Sequence, residues 1–91
     1  MKLQATPELN LEEKKAKYVS GLEIECIVTS IQTYGLFVSL DFAEEGFINA
    51  KNLLSFKPED FEITDIVLGK VIAYREEHHR FELSLVQKRT W

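Results

Sequence analysis

The sequence predicts an all-β fold, five short antiparallel strands closed into a small barrel, preceded by a short helix. Three observations carry this. From residue 21 onward, β-branched and aromatic residues recur in five short runs with a period near two. Glycine, acidic or histidine turns punctuate those runs, and a single irregular stretch, "KNLLSFKPEDFEITD", separates the third from the fourth. Finally, five strands left as an open sheet would present two unpaired edges, and closure removes both.

Each element follows from local chemistry. Residues 1–10 have no periodicity. Asn10 and Glu13 read as an N-cap and its capping-box partner, opening a helix that runs through about Tyr18. Lys14, Lys15 and Lys17 make that helix mostly solvated, so it is expected as a lid or linker over one barrel end, anchored by Leu11 and Tyr18. "LEIECIVTSI" is the first strand and places Ile24, Cys26 and Val28 on one face. After a turn ending at Gly35, "LFVSLDF" is the second. Its Leu36, Val38 and Leu40 point one way and Phe37, Ser39 and Asp41 the other. "AEEG" is a tight acidic connection and "GFINA" a short third strand. The irregular stretch contains Pro58 and reads as a loop with a helical turn around Asn52 to Phe56. "IVLGKVIAY", a "REEHH" hairpin turn and "RFELSLV" complete the barrel, with Phe81, Leu83 and Leu85 inward. The chain thus divides into an N-terminal extension with the helix (1–20), a barrel domain (21–86) and a C-terminal tail (87–91).

Composition narrows the function classes. Ninety-one residues, 45% hydrophobic and 29% charged, suffice for one folded domain without staples. No run approaches the roughly 18 apolar residues of a membrane span, and the polar opening "MKLQATPELNLEEKKAKY" does not resemble a signal peptide. Cys26 is the only cysteine, so no internal disulfide is possible and a cytoplasmic location fits. Its spacing with Ile24 and Val28 makes it a small core residue, and its charged neighbour, Glu25, would not activate a thiol. The net charge is −4, unevenly spread: residues 21–86 hold five Lys or Arg against twelve Asp or Glu, a balance of −7. Such a surface is unsuited to non-specific duplex binding, whose affinity comes from neutralising phosphates. It leaves room for a single-strand binder that relies on stacking.

No enzyme is expected. The sequence offers no nucleophile–base pair, no glycine-rich phosphate loop and no recognisable pair of carboxylates. His78 and His79 are adjacent in a turn and read as solvated, since a metal site needs three or four converging ligands. Glu59, Asp60, Glu62 and Asp65 lack the spacing and glycine of a calcium loop. No cofactor and no metal are therefore expected. The unusual feature is the pair of rings at Tyr34 and Phe37. Either Phe37 is covered by the helix or a partner protein, or it is held out for a ligand; Tyr34 either braces the Gly35 turn or joins it.

Three stretches give the chain a resemblance to a known family. A first strand closing on Ile31 leads into "YGLFV"; "EGFINAK" begins the third strand; and "YREEHHRFELSL" forms the last hairpin. In this order and spacing they resemble the S1 domain, an RNA-binding module, over residues 21–86. The resemblance implies the five-stranded OB-fold barrel and binding of single-stranded RNA on one barrel face, in translation or RNA metabolism, by a domain that is monomeric in isolation. It also implies the site. Tyr34 and Phe37 match the family's two second-strand aromatics, and Arg80 matches its hairpin arginine. Asn49 stands where a histidine is usual and Arg75 where an aspartate is usual. Asn49 keeps an amide able to bond base edges, and Arg75 exchanges an acceptor for a cation. Lys51 would share the face if the third strand continued. Contact at Arg75, Arg80 and Lys51 should then neutralise about two to four phosphates. The competing reading is an acidic docking module that binds a basic protein surface on a ribosome or an RNA-processing complex, with the rings making protein contacts.

Overall fold

The structure, a computed structural model, describes residues 11–40 and 44–88. Helix α1 (Leu11–Lys17) carries Glu12 and Glu13 in its first turn and three lysines in its last, the arrangement its dipole favours. The expected cap at Asn10 and the side chain of Leu11 lie outside the described residues. Contacts with the barrel seat the helix. Lys14 pairs with Glu44 at 3.3 Å, Lys15 pairs with Glu76 at 2.9 Å, and Tyr18 is buried edge-on to Phe81 at 5.2 Å. The hydrogen bond from Lys15, together with its charge, holds the Glu76 carboxyl below the usual carboxylate range.

Five strands follow: β1 (Glu23–Gln32), β2 (Gly35–Leu40), β3 (Glu44–Asn49), β4 (Ile66–Arg75) and β5 (Arg80–Lys88). They close in the order β1-β2-β3-β5-β4. The expectation of a wholly antiparallel sheet is corrected: β3 and β5 run parallel, with Gly46 opposite Phe81 and Ile48 opposite Leu83. An odd ring of strands cannot alternate direction at every contact. Here β1–β2–β3 and β1–β4–β5 alternate away from the shared β1, so their far members meet running the same way.

The two-residue period decides what fills the barrel. Cys26 and Val28, then Leu36, Val38 and Leu40, then Ile48, Val67, Val71, Phe81, Leu83 and Leu85 all turn inward and are buried. Leu53 and Phe61 of the β3–β4 connection join them, while Ile24 packs partly buried against the cluster. The connection's helical turn comes earlier than expected. Asn49 Oδ1 accepts the Lys51 N–H at 3.0 Å and starts a 3-10 turn at Ala50–Asn52; Leu54, at φ 60°, breaks it. A second 3-10 turn, Pro58–Asp60, follows. Pairing in β5 extends beyond residue 86, with Lys88 opposite Val67 and its ammonium over the rings of Phe56 and Phe61. Among the described residues no helix is long and apolar enough to cross a membrane.

Val38, 1% exposed, tests this facing. Val38→Ala should destabilise the barrel by about 1–2 kcal/mol, the scale of buried methyl deletions. A chemical denaturation curve with an unchanged midpoint would place Val38 outside the core.

Candidate nucleic-acid interface

Alternation puts Phe37 of β2 and Phe47 of β3 on the outer surface, because Val38, Gly46 and Ile48 turn inward. Register makes the two phenylalanines direct cross-strand partners, and their ring centroids lie 5.1 Å apart. Tyr34, in the turn before β2 and 54% exposed, adds a third ring at 5.8 Å from Phe47 and 6.3 Å from Phe37. Its carbonyl accepts the Ala50 N–H, which ties the turn to the end of β3. Gly35 permits this close approach. A side-chain carbon there would lie 2.6 Å from the Phe47 ring and against the Ile48 carbonyl oxygen. Phe37 is half-buried, shielded by its two neighbours and by Arg80.

Arg80 opens β5. Its guanidinium sits 4.9 Å from the Phe37 ring centroid and 5.1 Å from that of Phe47. Among the described residues no carboxylate pairs with it. Arg75, across the hairpin, is placed differently: its Nε donates to Glu82 Oε1, which neutralises most of the charge it would bring. A groove of about 190 Å³ lies between β3 and the β4–β5 hairpin, and Phe47, Asn49, Arg75 and Arg80 line it together. Lys51 stands apart. β3 stops at Asn49, so Lys51 falls in the following 3-10 turn, exposed and lining neither the groove nor the ring cluster. His78 and His79 are both exposed at the hairpin tip, and among the described residues no three His, Cys, Asp or Glu side chains are grouped to hold a metal.

This barrel has counterparts among solved structures. GSP13 from Bacillus subtilis is 29% identical, with a TM-score of 0.65 over 75% of this chain and 55% of its own. A chain of the a/eIF2alpha–aDim2p–rRNA complex from Pyrococcus horikoshii is 26% identical, with a TM-score of 0.65 over 74% of this chain and 44% of its own. The uncharacterized protein MJ1198 from Methanocaldococcus jannaschii shares the fold at 22% identity and a TM-score of 0.67, over 75% of this chain and 92% of its own. The chain has the fold of an S1-like domain. No protein-family model matches the sequence, and no curated protein matches it significantly. The chain spans about half the length of the GSP13 and Pyrococcus chains that it matches.

Sequence reasoning missed one residue of the ring cluster, Phe47. The signal was present. Gly46 and Ile48 flank it, and an inward Ile48 in "GFINA" requires an outward Phe47 one position earlier.

Proposed function

We propose that the outer face of β2, β3 and β5 binds single-stranded RNA. The observation that carries this reading is the Arg80 guanidinium lying over two outward rings, with no carboxylate of the described residues to satisfy it. Every base has a π-face, so Tyr34, Phe37 and Phe47 offer stacking without regard to sequence, worth about 1–3 kcal/mol per base. Arg80 supplies a cation for the adjoining phosphate, while Asn49 and Arg75 border the path. In RNA the bases must be unpaired to reach such rings, so loops and unstructured segments are the targets. The rRNA-containing complex among its structural counterparts supports a role in translation or RNA metabolism.

Pairing of Arg75 with Glu82 lowers the expected count of phosphate contacts to about one or two. In a polarisation titration, log affinity against log salt should fall with a slope of roughly −0.7 to −1.4. Single strands should bind and a duplex of the same sequence should not. A slope steeper than about −5 would assign affinity to a basic tail instead. The balance of −7 over residues 21–86 favours a second reading, docking on a basic protein surface of a ribosome or RNA-processing complex. Absence of RNA binding at low salt would select it.

A further inference from the structure

We infer that, on the RNA-binding reading proposed above, Glu82 closes the β5 side of the face and limits how many phosphates the face can hold. Register sets Phe37 opposite Phe47 and Phe47 opposite Glu82, so two rings and a carboxylate form one row across β2, β3 and β5. Burial of Phe81 and Leu83 turns Glu82 to the same outer surface as the rings. A strand lying along this row therefore runs from two aromatic rings onto a carboxylate.

Arg75 ties that carboxylate to the face. Its Nε donates to Glu82 Oε1 from across the hairpin, and the Glu82 side chain is 20% exposed against 47% for Arg75. The pair acts twice in the same direction. It cancels the charge that Arg75 would offer, because a phosphate diester taking the place of the carboxylate exchanges one monoanion for another. It also keeps a negative group in the groove, where the two arginines, Arg75 and Arg80, meet two carboxylates, Glu77 and Glu82. Arg80, over the rings, is left as the cation of this face that no carboxylate of the described residues pairs. Glu82 is thus a repulsive element set beside an attractive one, which makes the face depend on stacking more than on charge.

The test is Glu82→Gln in the full chain, with labelled oligouridylate titrated by polarisation. Glutamine keeps the shape and an oxygen that can still accept from Arg75 Nε, so the thermal melt should not change and Arg75 should stay in place with its charge uncancelled. One added phosphate contact on a single strand should tighten binding about eightfold at about 50 mM salt and about threefold at about 200 mM. The slope of log affinity on log salt should steepen by about 0.7. Adding Arg75→Gln to Glu82→Gln should return affinity and slope to the wild-type values. Glu59→Gln removes the same charge from a 3-10 turn of the β3–β4 connection, outside the groove, and should change affinity by less than about twofold. Affinity and slope indifferent to Glu82→Gln, a gain that survives Arg75→Gln, or an equal gain from Glu59→Gln would overturn the role of Glu82 and leave RNA binding intact. If the wild type binds no oligouridylate at low salt, the RNA-binding reading fails and the role of Glu82 fails with it.

Discussion

Phe81→Ala should unfold most of the margin by which this domain is stable. The ring is 1% exposed, edge-on to Tyr18 at 5.2 Å and to Tyr74 at 4.8 Å. Truncating a buried phenylalanine costs about 3–5 kcal/mol, and each lost aromatic edge contact removes roughly 0.5–1.5 kcal/mol beyond its area. A domain of this size holds about 5–15 kcal/mol in total. The melting temperature should therefore drop by at least about 12 °C. The residue also anchors α1 through Tyr18, so amide exchange in the helix should accelerate along with the barrel. A loss below about 1 kcal/mol would mean that the ring is not enclosed as described.

The second large effect is on binding. Phe37→Ala and Phe47→Ala should each weaken single-stranded RNA affinity by about 1–3 kcal/mol, or roughly 5- to 150-fold. Phe37 is half-buried among Tyr34, Phe47 and Arg80, so its removal should also cost about 1 kcal/mol of stability. Val38→Ala is the mirror case: it should lower stability and leave the affinity of the folded fraction unchanged. RNA affinity indifferent to both phenylalanine replacements would remove the stacking face from consideration.

Much of the barrel was legible because a strand's side chains alternate, and a run such as "LFVSL" must bury one set or the other. Cys26, Val38 and the Phe81, Leu83, Leu85 series followed from that rule alone. Features depending on pairs distant in sequence were not legible. The parallel contact of β3 with β5 joins two strands of ordinary composition, and neither sequence names its neighbour. The Arg75–Glu82 pair, though close in sequence, is a diagonal contact that needs the hairpin register, in which Arg75 opposes Arg80 and Ala73 opposes Glu82. Lys51 was assigned to the face by extending a two-residue period past Asn49. That residue's side chain bonds the backbone two positions on and ends the strand.

The single parallel contact has a consequence for how the molecule assembles. β1, β2 and β3 are successive neighbours and can pair locally, but β5 reaches β3 only after the long connection and β4 have been placed. Pairings so far apart in the chain carry a closure entropy before they return any energy, which puts such topologies in the millisecond-to-second range of folding times. Arg80 belongs to β5, whereas the rings it covers belong to β2 and β3. During synthesis, the early strands therefore present bare phenylalanines, and the cation arrives with the last strand. On the proposed RNA-binding reading, competence to hold a strand is thus acquired in the same event that seals the barrel, so a chain stalled before β5 would carry the rings without the grip.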